Sequence, residues 1–146
     1  MEISVGSNAK EIAKRLGKKG KELSASVKMA LSITAQVGVS IIEDRTSQSQ
    51  GYKDGAFKPY SYAYRLFRSK KKRGTKPDLQ FTGQMLGSMT TKANGKQAEI
   101  FFSRATESKK AAMNNKTRPF FGFSRKEQQR LSEVFFKALK WVFEKT

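Results

Sequence analysis

The chain has 146 residues, with 30 Lys or Arg against 12 Asp or Glu, for a formal net charge of +18. That length suits one ordinary domain, and a content of 37% hydrophobic and 11% aromatic residues is enough to build a core, so the charge does not imply disorder. With neither Cys nor His in the sequence, thiol nucleophiles, disulfides, thiolate or imidazole zinc sites and His-based acid–base schemes are excluded.

Met1 to Lys10 lacks the apolar core of a signal peptide. The longest uncharged apolar stretch, Met29 to Ile42, is short for a bilayer and is broken by Ser, Thr and Gln. A soluble protein with no membrane contact and no export through a signal peptide is expected. Asn8-Ala-Lys-Glu11 has the form of a capping box, with Ile12 and Leu16 behind it, so a helix should begin near residue 8 and weaken at Gly17 and Gly20. Leu23, Val27, Ala30, Leu31, Thr34, Val37 and Ile41 then recur at the spacing of one buried face, predicting an amphipathic helix over residues 21–45. Thr46 to Lys58 is rich in Ser, Gln and Gly and reads as a loop.

Between Phe57 and Phe67 the alternation of Tyr60, Tyr62, Tyr64 and Leu66 suits a strand. Pro59 before a Ser61 cap, followed by Ala63, Leu66 and Phe67, suits a short helix, which is the preferred reading. Thr82 is placed to cap one or two turns carrying Met85 and Met89 on one side. Thr90–Ala93 and Ala98–Phe102 flank Asn94-Gly95, a dipeptide suited to the positive φ values of a tight turn, so a β-hairpin is predicted. Arg104 to Thr117 is a polar stretch that closes on the apolar knot Arg118-Pro119-Phe120-Phe121-Gly122-Phe123. Ser124-Arg-Lys-Glu127 repeats the capping-box pattern and opens a helix to about residue 144. One face of that helix carries Leu131, Val134, Phe135, Ala138, Leu139 and Val142, while Phe136, Trp141 and Phe143 widen the apolar arc. Those three suit either a helix wedged deep in its own core or a subunit interface.

The basic excess lies outside the N-terminal part. Residues 1–50 carry 8 basic against 5 acidic groups, 51–100 carry 11 against 3, and 101–146 carry 11 against 4. Its densest run is Arg65, Arg68, Lys70, Lys71, Lys72, Arg73 and Lys76, with no acidic residue among them. Such a run is either a solvated loop or a contact for nucleic acid or an acidic protein face. Catalysis finds little support. A metal-dependent nuclease would need an Asp and a Glu-x-Lys on neighbouring strands, and the nearest match, Asp78 with Glu99-Ile100-Phe101, has Phe where the lysine should stand. No phosphate-cradling Gly-x-x-x-x-Gly-Lys-Ser/Thr loop is present, since Gly17-Lys-Lys-Gly20 lacks the spacing. The residues point to a protein without enzymatic activity, metal or cofactor.

Three segments, taken in order, resemble the phage virion morphogenesis family, the neck and tail-completion proteins of tailed bacteriophages. Gly55-Ala-Phe57-Lys-Pro59-Tyr60-Ser61 is similar to that family's "G, aromatic, x, P, apolar, S" opening, and a Lys/Arg-rich stretch follows it there too. Leu79-Gln-Phe81-Thr82-Gly83-Gln-Met85-Leu86-Gly-Ser88-Met89 resembles its "L, x, x, T-G, x, L, x, x, S-I" motif. Arg118-Pro119-Phe120-Phe121-Gly122-Phe123-Ser124 resembles "R-P-F-L-G-hydrophobic-S" before the last helix. The family's "Y-A, x, x, H-Q, x, G" segment has no counterpart, because Ser103 to Asn115 contains no Tyr, His or Gly.

The resemblance implies a virion protein, assembled in the host cytoplasm, that acts as a ring of identical subunits at the head–tail junction. Its partners would be itself, other neck, connector and tail proteins, and DNA passing through the lumen. The alternative is a small basic DNA- or RNA-binding protein working through phosphate contacts. The fold expected is α+β in a single domain over 1–146: an N-terminal helical part at about 8–45, a β-containing centre at about 55–117 with a small antiparallel sheet, and a C-terminal helix at about 125–144 packed on that sheet.

Overall fold

The computed structural model describes residues 2–4, 20–53 and 55–145, and shows an α+β fold. In chain order it contains β1 (Glu2–Ser4), α1 (Gly20–Ser47), α2 (Tyr62–Lys70), α3 (Gln84–Gly87), β2 (Met89–Ala93), β3 (Gln97–Phe102), α4 (Ala105–Thr117) and α5 (Arg125–Lys145). The capping box expected at Asn8 to Glu11 lies outside the described residues. Contacts gather the chain into two compact units: Met1–Ser40 with Thr90–Phe101 and Arg125–Thr146, and Ile41–Met89 with Phe102–Ser124.

The first unit holds the sheet. Its strand order is β1-β3-β2, with β1 antiparallel to β3 in the register Glu2↔Glu99, Ile3↔Ala98 and Ser4↔Gln97. The predicted hairpin is present, but its turn works differently from the expectation. Gly95 does not have a positive φ. Instead the Asn94 carboxamide oxygen accepts from the amides of Lys96 and Gln97, at 2.8 and 2.9 Å, and turns the chain with its side chain. Glycine is needed at 95 for space, because a Cβ there would sit 2.1 Å from the Ser24 hydroxyl. The core of this unit comes from Val27, Ala30, Leu31 and Ala35 of α1, Ala98 and Ile100 of β3, and Leu131, Phe135, Ala138, Leu139 and Val142 of α5, all buried. Burial at this i, i+3, i+4 spacing is what forms both helices, and it places α5 on the sheet. Thr34 satisfies its buried hydroxyl by donating to the Ala30 carbonyl at 2.8 Å. By length and composition α1 could cross a membrane, and half of that stretch is buried within the protein's own core.

The second unit is where the three motif segments lie. The competition between strand and helix at residues 57–67 resolves as α2, capped by the Ser61 hydroxyl, which accepts from the Tyr64 amide at 3.2 Å. Thr82 is not the cap residue of α3. That position falls to Gly83, whose φ of 80° only glycine holds without strain, while the Thr82 hydroxyl accepts from the Gln84 amide one step outside. Met85 is buried in α3, and Met89 already belongs to β2. Ser88 donates its hydroxyl to the Met85 carbonyl and closes the short helix.

The largest departure from expectation is α4, a helix of 13 residues in the stretch read only as polar. Its buried residues are Glu107 and Ala111, four apart on one side, so no apolar stripe announces it.

Candidate functional site

The Arg118–Gly122 segment organises the second unit through its backbone. Asn115, near the end of α4, accepts from the amides of Phe120 and Phe121 at 3.1 and 3.0 Å. Arg45 donates to the carbonyls of Phe120 and Gly122 at 2.6 and 3.0 Å, and the Pro119 carbonyl accepts from Tyr52. Phe120 is fully buried, with Phe121 and Phe102 around it at ring distances of 6.1 and 6.5 Å. A Cβ on Gly122 would fall 2.3 Å from the Tyr52 ring, so glycine is required there for space. Ser124 immediately precedes α5.

From this segment Arg118 reaches back to the first motif. Its guanidinium donates to the carbonyls of Lys58 and Pro59 at 2.7 and 2.9 Å and lies over the Tyr60 ring at 4.7 Å. Tyr60 in turn joins the second motif, its hydroxyl accepting from the Leu79 amide at 2.9 Å. Leu79 has a φ of 59°, a left-handed conformation that costs a non-glycine residue about 1 kcal/mol, so this hydrogen bond pins a strained turn. All three motifs are therefore physically joined within one unit.

Between them lies a cavity of about 520 Å³, lined by the aromatic residues Tyr60, Tyr64, Phe67 and Phe81 and by Glu107, Lys110 and Asn114, with Arg68 and Arg118 also in its wall. The rings form a graded stack: Tyr64 and Phe67 are 6.2 Å apart and tilted by 24°, Phe67 and Phe81 5.6 Å apart and tilted by 20°. Phe67 is 46% exposed despite its place in this wall.

Arg68 corrects the reading of the basic run. It is not a surface cation: it is buried to 2% exposure, donating from Nε to the Gly74 carbonyl at 2.5 Å and from Nη2 to Asp78 and the Gln80 carbonyl at 3.3 Å each. Its guanidinium also lies 5.0 Å from the Tyr60 ring centre. The charge folds the loop that follows it, whereas Arg65, Lys70, Lys71, Lys72, Arg73 and Lys76 stay exposed. Glu107, which sequence reasoning passed over, is 3% exposed, with Oε1 paired to Lys110 at 3.3 Å. Two buried polar atoms, Arg68 Nη1 and Glu107 Oε2, have no hydrogen-bond partner. The signals that could have found them are a compensating Asp78 ten residues after Arg68 and a lone carboxylate in a cationic stretch.

The carboxylates considered for a nuclease are both engaged elsewhere. Asp78 holds Arg68 and accepts from the Gln80 amide, and Glu99 pairs with Lys92 at 3.1 Å. Among the described residues no group of three or more Asp or Glu side chains could hold a metal ion.

Burial raises the Tyr60 phenol above its ordinary pKa of 10.0, although the Leu79 amide and the Arg68 charge pull the other way. The unfolded chain therefore releases this proton first, and stability falls as the pH rises past 10.0. Tyr60→Phe should flatten that alkaline decline, read as a smaller loss of Tm between neutral and strongly alkaline pH than the parent shows.

On α5, Phe136 and Trp141 are 38% and 51% exposed, and Phe143 is half-buried. At about 100° per residue, Phe136 and Phe143 fall on one flank of the buried stripe and Trp141 on the other. In comparisons with known proteins, no family model, no curated protein and no solved structure matches this chain.

Proposed function

We propose that the protein is a structural component of the head–tail junction of a tailed phage, a neck or tail-completion subunit that assembles into a homo-oligomeric ring joining head connector to tail. The observation that carries this reading is the joining of the three motifs. Segments 55–61, 79–89 and 118–124, separated widely in sequence, are held together by Arg118 on the Lys58 and Pro59 carbonyls and by Tyr60 on Leu79. Motifs that depend on one another in this way behave as a single fold signature, which supports the resemblance they carry.

The flanks of α5 supply a second support. A ring closes through heterologous contacts, so each subunit needs two unlike patches. Phe136 with Phe143 on one side, and Trp141 on the other, meet that requirement. Light scattering after size exclusion, with electron microscopy, should find rings. Phe136→Glu and Trp141→Glu should each abolish them, and mixing the two variants should restore a dimer through the one intact pair of patches. Purified parent protein that stays monomeric at all concentrations would remove the reading.

The exposed run Lys70, Lys71, Lys72, Arg73 and Lys76 favours a second reading, a nucleic-acid contact through phosphates, in a ring lumen or in a free protein. Binding to duplex DNA should weaken steeply with salt. Changing Lys70, Lys71, Lys72 and Arg73 together to Glu should abolish the gel shift at moderate salt and lower the log–log salt slope by up to about 3.6. No shift even at low salt would dismiss this second reading.

A further inference from the structure

Helix α2 is amphipathic in the reverse sense. A surface helix ordinarily turns its apolar stripe to the core and its charges to water. In α2 the inward side carries half-buried Tyr64 and buried Arg68, four residues apart, while Tyr62, Leu66 and Phe67 are 72%, 43% and 46% exposed. At about 100° per residue, Tyr62, Ala63, Leu66 and Phe67 span an arc of about 140°, which Lys70 continues one turn further on. Large apolar side chains grouped on one exposed face, unlike scattered single ones, mark a surface that something covers. The inward side fixes this orientation. Arg68 is held by the Gly74 and Gln80 carbonyls and by Asp78, and Tyr64 packs edge-on against Tyr60 at 4.9 Å. Rolling the helix over would strand that guanidinium's partners, so the apolar arc stays outward.

Two observations say what covers it. The first is charge. From Gly55 to Pro77 the sequence holds eight Lys or Arg and no Asp or Glu, and all of these cations except Arg68 are exposed. A second copy of this chain matches them poorly, because its 30 basic groups outnumber its 12 acidic ones and Glu43-Asp44 is its one pair of neighbouring acids. The partner therefore brings the negative charge. The second is the cavity. Phe67 belongs both to the exposed arc and to the wall of the cavity of about 520 Å³, where it stacks on Tyr64 and on Phe81 at 6.2 and 5.6 Å. A cavity of that size accepts apolar side chains projecting from a partner. A bilayer is flat on this scale and leaves such a cavity empty, and duplex DNA meets the lysines but offers nothing apolar to Leu66. A polypeptide supplies carboxylates and apolar side chains together. We propose that the outer face of α2, with the adjoining cavity, is the docking site for an acidic amphipathic segment of another protein. Its apolar side chains lie on Tyr62, Leu66 and Phe67, one of them entering the cavity, and its carboxylates lie on Lys70 to Arg73. Such docking needs neither the α5 flanks nor a closed ring, so it stands apart from the head–tail reading.

The test is fluorescence anisotropy with the full chain and a labelled peptide of about 16 residues, with Leu at every third or fourth position and Glu elsewhere. Beside it stand poly-glutamate of equal length, duplex DNA, and vesicles of phosphatidylcholine and phosphatidylglycerol. Poly-glutamate carries more charge than the amphipathic peptide, so attraction by charge alone ranks it first. Docking on α2 reverses that order, and the amphipathic peptide should bind at least tenfold more tightly. Phe67→Ser should weaken the peptide about tenfold and leave poly-glutamate unchanged. The double change Tyr62→Ser with Leu66→Ser should do the same, and it decides the outcome if thermal melts show that Phe67→Ser, which loses its stacking on Tyr64 and Phe81, is not folded. Changing Lys70, Lys71, Lys72 and Arg73 together to Glu should weaken both peptides. Poly-glutamate that binds as tightly as the amphipathic peptide would overturn the proposal, as would peptide binding that survives both apolar substitutions. Vesicle or DNA binding that falls with those substitutions while peptide binding does not would assign the face to that partner instead. Light scattering supplies the last arm: oligomers that dissociate in the double variant would make the face a contact between copies and overturn the proposal. Rings without peptide binding at low salt would overturn it and leave the head–tail reading in place.

Discussion

Phe120→Ala should destabilise the protein by about 3–5 kcal/mol, enough to consume much of the stability of an ordinary domain. The ring is fully buried and packs against Phe102 and Phe121, so truncation removes the apolar transfer energy and leaves a cavity whose walls are held in place. Relaxation is restricted because the backbone around it is tied at both amide and carbonyl, by Asn115 on one side and Arg45 on the other. Phe120→Leu keeps most of the volume and should cost less than about 1.5 kcal/mol. Urea unfolding checks both: the midpoint should fall sharply for alanine and slightly for leucine, with the slope unchanged. Equal midpoints would show that the site collapses freely, against the rigidity these hydrogen bonds imply.

The second large effect should come from Arg68→Ala, at about 3 kcal/mol. The arginine is 2% exposed and serves Gly74, Asp78 and Gln80 at once, so its loss strands two carbonyls and a carboxylate. Asp78 is 29% exposed and regains water, which holds the figure at the lower end of the range for broken buried pairs. Arg68→Lys keeps the charge but cannot spread over three acceptors and should cost about 1–2 kcal/mol. Hydrogen exchange gives the sharper readout. The amides of Asp78 and Gln80, now bonded to the Lys76 carbonyl and the Asp78 carboxylate, should lose protection in Arg68→Ala. Unchanged exchange there would mean that the loop orders itself without the arginine.

What the sequence disclosed follows from which forces leave a periodic trace. Apolar spacing marked α1 and α5 to within two residues, because their burial is one-sided and regular. The Ser61 cap and the Asn94 turn were visible as local chemistry, although the turn proved to depend on the Asn94 side chain and on space beside Ser24, two facts that a dipeptide cannot express. Helix α4 left no trace, since Glu107 and Ala111 are its whole buried face. The same limit hid the cavity. Arg68 looked like its exposed neighbours in a cationic run, and only tertiary structure separates the cation that folds the loop from the cations that face outward. The motif residues Pro59, Thr82 and Arg118 were recognisable one segment at a time, but their meeting place was not.

The arrangement of the two units carries a consequence for how the molecule is made. Neither unit is a continuous piece of chain: the polypeptide crosses between them four times, inside α1, inside β2, within β3 and at the start of α5. The first unit cannot complete its core until Leu131 to Val142 have been synthesised, and the second must bridge the excursion of residues 90–101 before Phe120 can be buried in its core. Closing a loop of about 50 residues costs roughly 3 kcal/mol of chain entropy before any contact repays it. Folding is therefore expected to be late and slow, dominated by contacts distant in sequence. A cut after residue 40 or after residue 124 divides the first unit and leaves the pieces of the second on one fragment, so truncation at either place should unfold the first unit.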